Sequence, residues 1–161
     1  MTLATRVLDA LRRDGLTLAC AESMTAGLFA ARLTEPSGAS DVFAGGILVY
    51  TDAAKVELAG VDREVLAREG GVSAAVAREL ATGTRERLGV DLSVSIVGFA
   101  GPNVPPGGDV GQVFIALAHW GGTEVHPLHL AGDRAQLRAA AVDEALRFVL
   151  DAAEKAAKAR G

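Results

Sequence analysis

Residues 110–130 read Val110-Gly111-Gln112-Val113-Phe114-Ile115-Ala116-Leu117-Ala118-His119-Trp120-Gly121-Gly122-Thr123-Glu124-Val125-His126-Pro127-Leu128-His129-Leu130. Two strand-like runs, residues 110–119 and 123–130, flank Trp120-Gly121-Gly122, the pattern of a β-hairpin. Upstream, residues 101–111 hold four of the 19 glycines and three of the five prolines and must be a loop. Residues 91–99 before that loop form a further strand. Farther out, helices and strands alternate. A helix over residues 74–88 is capped by Ser73, with Val76, Leu80 and Leu88 on one face. Helices at residues 62–68 and 52–58, a strand at 47–50, a helix at 25–34, a strand at 16–21 and an opening amphipathic helix complete the N-terminal side. Downstream, Gly132-Asp133 starts an Ala-rich helix reaching about residue 157. Alternating elements followed by a late hairpin predict an α/β fold, a single-domain α/β/α sandwich whose mixed central sheet is covered by helices on both faces.

The composition agrees with one layered domain over residues 1–161. Half of the residues are apolar and only 4% are aromatic, so Ala, Val and Leu must build a core with close helix-to-sheet approach. The net charge of −4 and the lack of a basic block argue against a nucleic-acid partner. No run approaches the length of a membrane span. The single Cys20 excludes an intramolecular disulfide and reads as a buried core thiol; with an amphipathic, non-signal N-terminus this predicts a cytoplasmic protein.

Several signatures are absent: no P-loop, no dinucleotide fingerprint and no Gly-x-Ser-x-Gly elbow. His119, His126 and His129 cluster on the hairpin, but no cysteine or paired carboxylate accompanies them, so no metal is expected. Basic-residue usage is more informative. Thirteen of the sixteen basic residues are arginine, and Lys55 is the only lysine outside the C-terminal tail. Arginine stays protonated, whereas a desolvated lysine can act as a general base; taken alone, Lys55 reads as a surface lysine on the first turn of a helix, the blander and favoured alternative. Ser23 falls where a strand meets a helix, a place where a nucleophilic hydroxyl can sit beside backbone donors; taken alone the position favours a helix N-cap, a role for which Thr25 competes. Tyr50 is the only tyrosine. Ser23, Tyr50 and Lys55 would share one sheet edge, where open α/β sheets bind ligands.

These residues resemble the CinA carboxy-terminal-domain family, whose stand-alone members include nicotinamide-nucleotide amidohydrolases. The resemblance is carried by Ala21-Glu22-Ser23-Met24-Thr25-Ala26-Gly27, by Phe43-Ala44-Gly45-Gly46-Ile47-Leu48-Val49-Tyr50 through Lys55, and by Gly70-Gly71-Val72-Ser73. Gly98-Phe99-Ala100-Gly101-Pro102, Val110-Gly111 and Gly132-Asp133-Arg134 with Arg138 complete it. It implies hydrolysis of the carboxamide of nicotinamide mononucleotide to nicotinate mononucleotide and ammonia, without cofactor or metal. Ser23 would be the nucleophile, Lys55 its base and Tyr50 a hydrogen-bonding partner or relay. Glu22, Thr25, Gly45, Gly46, Gly98, Ala100, Gly101 and Arg134 would bind substrate, with Arg134 and the amides of residues 98–108 receiving the 5′-phosphate. The family tendency also implies a homo-oligomer.

The sequence departs from the family pattern in three places. Met24 and Ala26 stand where a cysteine and a glycine are usual, and the Ala26 methyl is expected to narrow the pocket. Val97 replaces a hydroxyl residue and loses its hydrogen bond. Residues 103–108 read Asn103-Val104-Pro105-Pro106-Gly107-Gly108 in place of a segment that begins Asp-Gly-Gly. The last two departures favour, as the alternative, a serine hydrolase acting on another small amide. A non-catalytic nucleotide-binding relic of the family is the third reading.

Overall fold

The computed structural model describes residues 1–160, with side chains through residue 158. Thr2 caps helix α1 (Leu3–Asp14) by accepting from the Thr5 amide, and Gly15 ends it at φ 62°. Strand β1 (Leu18–Glu22), helix α2 (Leu28–Leu33) and strand β2 (Phe43–Leu48) follow. Next come helices α3 (Asp52–Ala59), α4 (Arg63–Glu69) and α5 (Ala74–Leu88), then strand β3 (Leu92–Gly98). The hairpin β4 (Gln112–His119) and β5 (Gly122–His129) leads into helix α6 (Arg134–Arg160).

The strands form one sheet in the order β2-β1-β3-β4-β5. β1 is parallel to both β2 and β3, while β3/β4 and β4/β5 are antiparallel, which makes the sheet mixed as expected. Strand alternation divides the core in two. On one face Leu18, Cys20, Leu92, Val94, Ile96, Ile115 and Leu117 pack with buried residues of α1, α2 and α6. On the other, Ala21, Val97, Ala116 and Ala118 meet Val76, Ala77, Leu80 and Ala81 of α5. Small side chains bring α5 so close to the sheet that the Ser95 hydroxyl donates to the Ala77 carbonyl at 2.6 Å. The result is the α/β/α sandwich. Among the described residues, no helix is long and apolar enough to cross a membrane.

Two element starts differ from the sequence reading by three residues or more. β2 begins at Phe43, not at residue 47, and Gly45 and Gly46 lie inside the strand. A register shift beside Leu18 accommodates Gly45 at φ 144°, and a Cβ at Gly46 would come within 2.6 Å of Cys20 Sγ. These glycines therefore permit a bulge and a close approach in an edge strand. Helix α2 begins at Leu28, not at residue 25, because Ser23–Gly27 forms a turn in which Ala26 has φ 46°. Ala26 is exposed and lines no cavity, so its methyl strains the backbone of the turn and does not narrow the pocket.

Cys20 is buried as expected, and burial, with added repulsion from Glu22, pushes its thiol well above the ordinary range. The unfolded thiol ionises near about 8.5. The raised folded-state value means that this contribution to stability is full below that range and is lost progressively at higher pH. Native protein at pH 8 should therefore resist iodoacetamide, labelling at Cys20 only as fast as the chain opens, and its urea midpoint should fall above about pH 9 unless Cys20 is replaced by Ala.

Candidate active site

β1 ends at Glu22, and the chain turns at the carboxyl edge of the parallel strands, where Ser23, Met24, Tyr50, Lys55, Gly98, Ala100, Gly101, Asn103 and Arg134 line one cavity of about 230 Å³ with Val72 and Phe99. Ser23 and Lys55 are 7% and 4% exposed, so both reactive candidates are largely withdrawn from water. The Ser23 amide donates to the Ile96 carbonyl at 3.1 Å, which locks the serine to β3. Ser23 does not cap α2: Gly27 occupies that position with no side-chain bond.

Glu22 performs the capping from the strand. Its Oε1 accepts from the Phe29 amide at 2.8 Å and its Oε2 from the Ala30 amide at 3.1 Å. The carboxylate is fully buried and lines neither this cavity nor the larger one beside it. The structure thus places Glu22 in a supporting role, and the α2 terminus is not open to a ligand anion. The Ser23 and Ala26 amides are engaged as well, by the Ile96 and Ser23 carbonyls, and Met24, which follows the serine, lines the cavity.

Thr51 caps α3 through the Ala54 amide, and the first turn of that helix carries Lys55 into the cavity. Lys55 Nζ donates to Asp52 Oδ1 at 3.0 Å, with the Asp52 side chain 64% exposed. A Cβ at Gly71 would strike Asp52 and come within 3.0 Å of Lys55 Nζ, which is why the Gly70-Gly71 segment can cover this pair. Ser23 and Lys55 are not hydrogen-bonded to each other here.

At the far wall, Asp133 and Gln136 form a reciprocal capping box at the start of α6, with bonds of 2.9 Å each way. Asp133 is thereby occupied, and Arg134 turns to the cavity, donating to the Gly101 carbonyl at 2.7 Å and to the Tyr50 hydroxyl at 3.2 Å. No carboxylate pairs with Arg134 among the described residues, which leaves its charge available for an anionic group. Tyr50 lies just past β2 and is 60% exposed, not at the end of a buried strand. One turn along α6, Arg138 donates to the Met24 and Thr25 carbonyls at 3.0 Å each and holds the serine turn. Sequence reading gave Arg138 no role, although its four-residue spacing from Arg134 puts both on one helix face.

The structure therefore brings together Ser23, Tyr50, Lys55, Gly98, Ala100, Gly101 and Arg134. It leaves Glu22, Thr25, Gly45 and Gly46 outside the cavity. Thr25 is fully buried, with its hydroxyl unpartnered among the described residues. Gly98 seats Met24, whose sulfur a Cβ there would strike. Val97 is buried in the apolar cluster under α5, not on the cavity wall. Asn103 lines the cavity, so that departure does face a ligand. The three histidines have separate partners: His119 pairs with Glu124, His126 stacks on Phe148 with ring centroids 3.7 Å apart, and His129 pairs with Asp109.

Known proteins share this architecture. A CinA superfamily protein of Klebsiella pneumoniae superposes with a TM-score of 0.92 at 32% identity, covering 95% of this chain and 96% of that one. A competence/damage inducible protein of Agrobacterium tumefaciens superposes at 0.89 with 34% identity, over 92% of each chain. Curated relatives include proteins named "Putative competence-damage inducible protein" from Bacillus velezensis, 40% identical over 92% of this chain, and from Bacillus subtilis, 44% identical over 80%. The chain spans 36% and 31% of those relatives' lengths. The family model for the CinA C-terminal domain matches residues 1–153, and the chain belongs to that family.

Proposed function

We propose that this chain is an amidohydrolase that converts nicotinamide mononucleotide to nicotinate mononucleotide and ammonia. The observation that carries the reading is the convergence of a buried serine and a buried lysine on one cavity with an arginine that no carboxylate neutralises. In its amine form Lys55 takes the Ser23 hydroxyl proton as Ser23 Oγ bonds to the amide carbon. The oxyanion is met by the Met24 amide, and collapse breaks the C–N bond as Lys55 returns its proton to the departing ammonia. Water then attacks the ester, Lys55 accepts its proton, and Ser23 Oγ leaves and is reprotonated. Asp52, solvent-exposed, can release Nζ at little cost. Arg134, oriented by Gly101 and Tyr50, takes the phosphate. Serine and lysine supply nucleophile and base, so the reaction as proposed uses no metal.

A second reading, hydrolysis of a different small amide, is favoured by Asn103 and the Pro105–Gly108 segment, which line the ligand space and differ from the family pattern. The test is incubation with nicotinamide mononucleotide without added metal and chromatography of the products. Equimolar nicotinate mononucleotide and ammonia are expected. An unchanged substrate with folded protein, or release of nicotinamide by glycosidic cleavage, would overturn the assignment.

A further inference from the structure

The reaction cavity adjoins a second chamber of about 590 Å³, and Lys55, Val72 and Phe99 belong to the walls of both. Among the described residues, Phe99 is the only aromatic side chain on the larger chamber's wall. Its backbone is pinned on both sides: its amide donates to the Gln112 carbonyl at 3.0 Å, and its carbonyl accepts from the Gly111 amide at 2.8 Å. Gly108 lies against the ring edge, where a Cβ would come within 3.3 Å of Cε2. The ring stacks on no other aromatic ring among the described residues.

The charged groups of this chamber are Asp52, Glu69 and Lys55. Asp52 pairs with Lys55, and Glu69 accepts from Arg68 Nε at 3.0 Å. When Lys55 is in the amine form that the proposed reaction requires, Asp52 has lost its counter-charge. An aromatic side chain that shares a chamber wall with an uncompensated carboxylate attracts a flat cation.

We infer that Phe99 is a specificity-determining residue that selects amides carried on a positively charged aromatic ring, which lies on its face with Asp52 as counter-charge. The inference rests on the amidohydrolase reading for its choice of amide. It adds to that reading a cause: the ring's positive charge is recognised, not only its carboxamide and phosphate.

Binding of 1-methylnicotinamide, a cation, and of nicotinamide, its neutral counterpart with the same ring and amide, separates charge from shape. Both are titrated calorimetrically into the full chain and into Phe99→Leu and Phe99→Tyr. The cation is expected to bind the parent chain on the order of tenfold tighter, to lose that preference in Phe99→Leu and to regain it in Phe99→Tyr. Equal binding of the two ligands by the parent, or a preference unchanged in Phe99→Leu, overturns the inference. Because no turnover is read, the two proposals fail separately. Hydrolysis of nicotinamide mononucleotide with a preference indifferent to Phe99 removes only this one, whereas a preference that follows Phe99 in a chain that does not hydrolyse the nucleotide removes only the function.

Discussion

Replacing Lys55 by Met is expected to lower kcat for amide hydrolysis by about a thousandfold, within the range a positioned general base contributes. The fold should survive. Lys55 is 4% exposed and its stem is packed, so an unbranched apolar side chain occupies much of the same space. Its partner Asp52 is 64% exposed and remains solvated when left alone, so the lost ion pair costs little. Lys55→Arg is the sharper comparison. Arginine keeps the positive charge but cannot give up its proton, so it should be about as inactive as Met. Near-parental activity in the arginine variant would mean that Lys55 acts by charge alone. The measurement is kcat and KM for each variant beside a thermal melt.

Glu22→Ala carries the largest expected effect on stability. Its two carboxylate oxygens accept from the Phe29 and Ala30 amides in a site closed to water, and alanine leaves both donors unpaired. Each orphaned buried group costs roughly 1–3 kcal/mol, so a loss on the order of 3 kcal/mol in urea unfolding follows. Glu22→Gln keeps one acceptor and should lose about half as much. Activity should fall in parallel, because the start of α2 fixes the turn that presents Ser23. A Glu22→Gln variant with unchanged stability and a raised KM would instead return Glu22 to substrate binding.

Glu22 also shows what was legible in the sequence and what was not. The late hairpin, the alternation before it and the Ser73-capped helix over residues 74–88 carried strong local signals, and the sandwich follows from them. The residues around Ser23 gave a misleading one. Ser23 and Thr25 look like helix caps by local propensity, but the cap comes from a strand carboxylate seven residues before the amide it satisfies, and the helix starts at Leu28. Likewise, residues 47–50 alone read as the strand after Gly45 and Gly46, whereas an edge strand tolerates a bulge and a close contact with Cys20 at these glycines that only tertiary packing reveals. Within the candidate site, the rarity of lysine singled out Lys55, and the family resemblance supplied Arg134. Arg138 and Asp52 emerged only from hydrogen bonds across the fold. Phe99 emerged only from its place on the wall between two chambers. Such convergence depends on which loops the sheet brings together, and no local pattern encodes it.

Ammonia release from nicotinamide mononucleotide, measured side by side for the parent chain and Ser23→Ala with both proteins shown to be folded, tests the central claim most directly. Steady release by the parent that falls by at least about four orders of magnitude in Ser23→Ala is the predicted result, as expected when a covalent nucleophile is removed. Comparable release by both proteins would contradict the serine mechanism, and no release by either would contradict the substrate.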